Sequence, residues 1–172
     1  MRTELEIRRL ISESPMGDSG LVAYLVGKPA PGVHEPLEEV VVEAGRGFVG
    51  DHPRKSFWRG SEIPGREVTA VSIEVLRAMG VAPDIPGDNL VTRGIDLGSL
   101  AEGDRLEIGD VILERSAKPH RPCALFRDRT GEAAFRVASD GFRGALFRVI
   151  RGGRLRIDDS VTVIRVRQEV TP

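Results

Sequence analysis

The sequence predicts a mainly β protein, a closed β-barrel with a few short helices. Three observations carry this expectation. From Gly20 onward the chain is a series of short apolar runs broken by Gly, Pro and Asp, the pattern of strands and turns. Helical periodicity is scarce. No linker, internal repeat or low-complexity tract interrupts the series, and many short strands in one unit are best accommodated by a barrel, which leaves no open sheet edge.

Residues 1–14 mix apolar and charged side chains with a period that suits helix and strand alike, and 12–20 reads as a loop. The expected strands are 21–26, 38–43, 67–72, 90–92, Arg105–Ile108, Val111–Arg115, 145–150, 154–157 and 161–165. Two hairpins are expected. Gly109-Asp110 joins Arg105–Ile108 to Val111–Arg115, a two-residue connection suited to positive φ. Asp158-Asp159-Ser160 is expected to join 154–157 to 161–165 in the same way. Ile73–Met79, stopped by Gly80, is the one clear short helix. The domain expectation is an N-terminal extension over 1–19 and a barrel domain over 20–172.

With 172 residues, 40% of them hydrophobic and 30% charged, the chain has enough apolar material for one core. No apolar run approaches the roughly 20 residues of a membrane span, and residues 1–6 lack a signal-peptide pattern. A cytoplasmic protein is expected, with no membrane partner. The net charge of −1 creates no field favouring nucleic acid, so none is expected as a partner. Lys28, Lys55 and Lys118 are the only lysines beside 22 arginines, and the planar guanidinium grips phosphate or carboxylate through paired hydrogen bonds. Codon preference accounts for most of that bias, and a few arginines remain candidates for an anion site. The single cysteine excludes an intrachain disulfide and an all-thiolate iron–sulfur cluster, which takes about four ligands.

That cysteine stands in Lys118-Pro119-His120-Arg121-Pro122-Cys123, shortly after the strand Val111–Arg115 and so near a barrel rim. Cationic neighbours stabilise a thiolate, the form that attacks electrophiles and binds metals, and the two prolines stiffen the loop. The alternative is a buried structural cysteine. A second element is Gly50-Asp51-His52, followed by Arg54 and by Arg66-Glu67-Val68; a turn glycine precedes groups that hydrogen-bond or titrate. A third is Gly87-Asp88-Asn89, then Thr92-Arg93-Gly94-Ile95-Asp96-Leu97. Asn89 offers donor and acceptor while Arg93 suits oxyanions; an Asx-type turn at Asp88-Asn89 is the plain alternative.

Taken in order with Gly103-Asp104-Arg105-Leu106-Glu107-Ile108-Gly109, Pro122-Cys123 and the closing Arg148-Val149-Ile150-Arg151-Gly152-Gly153 and Ile157-Asp158-Asp159-Ser160-Val161, these motifs resemble the MOSC (molybdenum cofactor sulfurase C-terminal) family, from about Gly20 to Val163. The resemblance implies a barrel of the MOSC or pyruvate-kinase-barrel-like type that holds the pterin-linked molybdenum cofactor, with Cys123 as the metal ligand. Asp51, His52, Arg66, Asn89 and Arg93 match motif positions near such a pocket. One departure is Asp88, where the family commonly has Glu, a difference of one methylene that shifts a contact. The pyridoxal-phosphate domain of the larger sulfurases has no counterpart here, so no pyridoxal phosphate is expected in this chain.

Several functions follow as expectations. In the first, an oxidoreductase, the metal held by Cys123 exchanges an oxygen atom and two electrons with an N-hydroxylated or related small molecule. Arg54, Arg66 and Arg93 clamp the pterin phosphate, His52 donates a proton, and an external electron-transfer protein supplies electrons. In the second, Cys123 carries a persulfide, or the domain carries molybdenum cofactor to or from a partner that supplies or receives it. A zinc site of His52, His120 and Cys123 and a cysteine hydrolase activated by His52 or His120 are lesser alternatives.

Overall fold

The computed structural model describes residues 1–53 and 65–166. The chain opens with helix α1 (Glu4–Ser12), followed by strands β1 (Ser19–Gly27), β2 (Glu35–Leu37), β3 (Glu39–Glu43) and β4 (Gly47–Phe48). Strand β5 (Val68–Ser72), helix α2 (Ile73–Met79) and strand β6 (Leu90–Arg93) form one unit. Strands β7 (Arg105–Ile108) and β8 (Val111–Arg115) precede the helices α3 (Ala124–Thr130) and α4 (Glu132–Val137). Strands β9 (Ala145–Arg151), β10 (Gly153–Arg156) and β11 (Ser160–Ile164) close the described chain.

The barrel runs β1–β11–β7–β8–β9–β5–β6 and back to β1, a closed ring of seven strands with β2 appended to β1. Closure rests on two antiparallel seams of β1, one to β11 through Ser19–Leu21 and one to β6 through Leu21–Leu25. One barrel pair is parallel. Strand β5 pairs with β6 through Ala70, Val71 and Ser72, and a parallel pair demands a crossover, which α2 and the following loop provide. This explains why β5 is buried at every position. Val68 and Ala70 face the barrel core, whereas Val71 packs with Ile73, Leu76 and Val91 under α2. A strand covered on both faces reads as an unbroken apolar run. Strands β3 and β11, covered on one face, alternate exposed and buried residues.

The Gly109-Asp110 hairpin forms in the expected register, Ile108 opposite Val111. The second expected hairpin does not form. Strand β10 pairs with β3 in a separate three-stranded sheet, while β11 leaves to pair with β1 and β7. Contacts with distant segments accompany this path. Glu39 takes ion pairs from both Arg154 (2.7 Å) and Arg156 (3.1 Å) across the strand, and Leu155 is fully buried beside Val40 and Val42. The turn itself bonds to β1, Asp158 N donating to Val22 O and Val22 N to Asp159 O, with Asp158 at φ 71°.

The ambiguous N-terminus resolves as a helix. Thr3 caps α1 through a reciprocal capping box with Glu6, which satisfies two orphan donors of the first turn. Ile7 and Ile11 of α1 are buried in a second apolar cluster with Val75 and Met79 of α2, Phe126 of α3 and Ala134 and Val137 of α4. The helices after Cys123 are an addition to the expected elements, because their short, Arg-rich segments carry little apolar periodicity. Among the described residues no helix is long and apolar enough to cross a membrane.

Gly144, just before β9, has φ +109°, and a Cβ there would lie 1.9 Å from the Ala70 carbonyl oxygen. The close approach lets β9 enter the barrel beside β5. Gly144→Ala combines a forbidden backbone conformation with a backbone clash, and chemical denaturation is expected to show a loss of about 2–4 kcal/mol.

Candidate functional site

Three consecutive residues at the entry to β6 organise the site. Gly87 has φ +77° and lies against the His34 ring, with a Cβ position only 2.5 Å from His34 Nε2; His34 Nδ1 donates in turn to the Asp84 carbonyl at 2.7 Å. Asp88 and Asn89 are both 0% exposed. Both are therefore buried polar groups that must find partners.

Asn89 finds them on two strands and on the turn after β4. Its Nδ2 donates to Asp51 Oδ2 at 2.7 Å and to Val26 O at 3.3 Å, and its Oδ1 accepts from Thr69 N at 3.3 Å. The Asn89 backbone N donates to Thr69 Oγ1 at 3.2 Å. Asp51 Oδ1 accepts from Lys28 N at 2.7 Å, and Lys28 Nζ donates to Gly87 O at 2.8 Å. Gly50 turns at φ +100° to bring this Asp51 back to the end of β1. Thus Asp51 and Asn89, which belong to separate motifs of the sequence, meet in a direct hydrogen bond.

Asp88 divides its two oxygens. Oδ1 accepts from His120 Nε2 at 2.8 Å, and Oδ2 accepts from Arg143 Nη1 at 2.5 Å. Burial alone disfavours the carboxylate, but the Arg143 charge and the hydrogen bonds outweigh it and hold Asp88 well below the ordinary carboxylate range. For His120, burial pushes the pKa below its ordinary 6.5, against the pull of Asp88 and with added repulsion from Arg143 and Arg66. At neutral pH His120 is a neutral Nε2–H donor and Arg143 is the countercharge.

Cys123 is a free, exposed thiol three residues beyond His120. It is the N-cap residue of α3, and its carbonyl accepts from Arg127 N at 3.1 Å. His52 is half-buried; its backbone N donates to Lys28 O at 2.8 Å and its Nδ1 donates to Pro53 O at 3.0 Å. Arg66 is half-buried and near enough to His120 to repel its protonated form. Arg93 ends β6, at the opposite end of the strand from Asn89, and is exposed. Arg54 lies outside the described residues. Among the described residues no three His, Cys, Asp or Glu side chains form a metal-binding group, and His120, required by the zinc alternative, spends Nε2 on Asp88. Arg143 belongs to none of the sequence motifs; its one local signal is a basic residue between Gly141 and Gly144.

The MOSC domain profile matches residues 63–162, more than half of the chain. The chain belongs to the MOSC domain family. No curated protein matches it. Among solved structures this MOSC chain is similar to the YUAD protein from Bacillus subtilis, at 24% identity and TM-score 0.72 over 87% of this chain and 97% of that one. It is also similar to YiiM from Escherichia coli (20% identity, TM-score 0.55, 88% and 73% of the two chains) and YiiM from Geobacillus stearothermophilus (16%, 0.58, 86% and 75%). At these identities the likeness shows the MOSC fold alone.

The family is associated with the molybdenum cofactor. The residues of this MOSC domain fit such a group in donor chemistry: a free, exposed thiol is a soft ligand for a transition metal, and half-buried Lys28 and Arg66 are cations of the kind that attract a pterin phosphate.

The depressed pKa of His120 has a consequence for stability. On acidification the unfolded chain takes up the His120 proton before the folded one, so His120 supports stability above about pH 6.5 and that support is lost as pH falls. The thermal midpoint of the wild type is expected to drop between about pH 7 and about pH 5, and His120→Gln to flatten that drop; equal slopes in the two proteins would refute the assignment.

Proposed function

We propose that this MOSC domain protein is a cytoplasmic oxidoreductase that binds the molybdenum cofactor through Cys123 and reduces N-hydroxylated or related small molecules with electrons from an external electron-transfer protein. The observation that carries this reading is the single free thiol, exposed and adjacent to the buried polar network, in a chain of the MOSC family. When bound, the cofactor supplies two-electron oxygen-atom exchange. For an N-hydroxylated base the overall change is R–NHOH with two electrons and two protons giving R–NH2 and water.

The chain's own residues have separate tasks in this proposal. Cys123 is the ligand, as the thiolate. Arg66 holds the phosphate end by charge-assisted hydrogen bonds; Arg54 remains a candidate for the same role, and Arg93 is left aside because of its place on β6. Asp51 and Asn89 are bonded to one another, and Asp51 accepts from the Lys28 backbone, so their task is to fix the Lys28 segment. His52 moves the proton. Its Nδ1–H is committed to Pro53 O, so Nε2 takes a proton from solvent and delivers it to the departing oxygen.

The exposure of Cys123 also suits a persulfide relay or a cofactor-carrier role, which needs the thiolate but no proton donor. Elemental analysis after anaerobic purification from cells supplied with molybdate is expected to find molybdenum in the wild type and none in Cys123→Ser; equal content would end the proposal. With a chemical electron donor, His52→Ala is expected to reduce N-hydroxylated substrates about 10²-fold more slowly. Unchanged turnover would remove His52 from the mechanism, and absence of turnover with molybdenum retained would favour the carrier.

A further inference from the structure

Cys123 lies midway between two contacts that lead to the same buried carboxylate. Three residues before it, His120 Nε2 bonds to Asp88 Oδ1 at 2.8 Å. Three residues after it, the ring of Phe126 lies under the Arg143 guanidinium, 4.7 Å from carbon to ring centroid, and Arg143 bonds to Asp88 Oδ2 at 2.5 Å. One tether is direct and the other passes through a cation. Both end on a residue whose backbone neighbours are immobilised, Gly87 against His34 and Asn89 across Thr69, Val26 and Asp51.

We infer that Asp88 is the positioning residue for Cys123, fixing the cysteine-bearing turn from both sides through His120 and through the Arg143–Phe126 stack. The chemical logic is that an exposed side chain at the start of a seven-residue helix has few contacts of its own to hold it. A metal ligand must nevertheless be presented in one geometry, and groups behind a ligand do that work. A carboxylate suits the task because it accepts on both oxygens at once from opposite directions. A carboxamide cannot: one of its two termini is a donor and would face the donor nitrogen of either His120 or Arg143. Asp88 touches neither substrate nor cofactor in this assignment. Its effect on Cys123 does not depend on the metal, although its value for function rests on the reading of Cys123 given above.

As the sole cysteine of the chain, Cys123 takes a nitroxide spin label without mutation of other sites. In the labelled full-length protein, Asp88→Asn is expected to shorten the rotational correlation time of the label at least about threefold, and Asp88→Glu, which keeps both acceptor oxygens, to restore most of the wild-type value. His120→Gln, which leaves the Asp88–Arg143 pair in place, cuts one tether only and is expected to give an intermediate value, so the assignment stays testable if Asp88→Asn does not fold. Label mobility unchanged in His120→Gln, or equal in Asp88→Asn and Asp88→Glu, would overturn it. Amide exchange serves as the control for global loosening. Strands β7 and β8 are expected to keep wild-type protection in Asp88→Asn, and faster exchange there would reduce Asp88 to a general stability residue. In unlabelled protein, Asp88→Asn is expected to retain molybdenum at least about tenfold less well through gel filtration. A mobile label together with no molybdenum even in wild type would leave the positioning role standing and remove the cofactor reading instead.

Discussion

A fully buried carboxylate is affordable in this protein only because Asp88 has a cation on one oxygen and a neutral imidazole donor on the other. Removing one partner of such a pair exposes the whole desolvation cost, about 3–5 kcal/mol. The pair thereby joins segments that the barrel ladder does not connect: the entry to β6, the turn before Cys123, and the chain leading from α4 into β9. Asn89 extends the same junction to β1, β5 and the turn after β4. Two adjacent polar side chains thus tie the barrel to the segment that carries Cys123.

The barrel offers a rigid platform for this junction. Its one parallel strand pair among the described residues, β5 with β6, requires a crossover, and the crossover places α2 over the outside of the sheet. Helix α1 and the helices that follow Cys123 then complete the second apolar cluster against α2. The N-terminal helix and the Cys123-bearing turn are therefore parts of one helical layer, and Phe126 belongs both to that layer and to the Arg143 stack. Packing of the layer and placement of the cysteine are linked through this one ring.

Strands with clean alternation or a fixed turn, such as β7, β8 and their Gly109-Asp110 connection, were legible to the residue because their determinants are local. The junction of β10 and β11 was not. Its turn residues fit a hairpin, but Leu155 is buried with Val40 and Val42 and the turn bonds to Val22, partners more than a hundred residues away along the chain. The short helices around Cys123 were hidden for a related reason, since their stability comes from a cluster assembled from four separate segments and not from their own periodicity. In the site, Asp51 and Asn89 were legible as motif members, as was Cys123. Arg143 was invisible, because a single arginine among twenty-two acquires meaning only from the carboxylate it meets.

Sequence by itself determined that this is a mainly β barrel of the MOSC kind, that it has one thiol, and which short polar motifs accompany that thiol along the chain. Those properties follow from local periodicity, turn residues and composition. Tertiary structure alone decided that Asp88 is buried, that His120 serves it as a neutral donor, that Arg143 balances its charge, and that Arg93 stands apart from Asn89. Burial and charge pairing are properties of contacts between distant segments, and no local pattern encodes them.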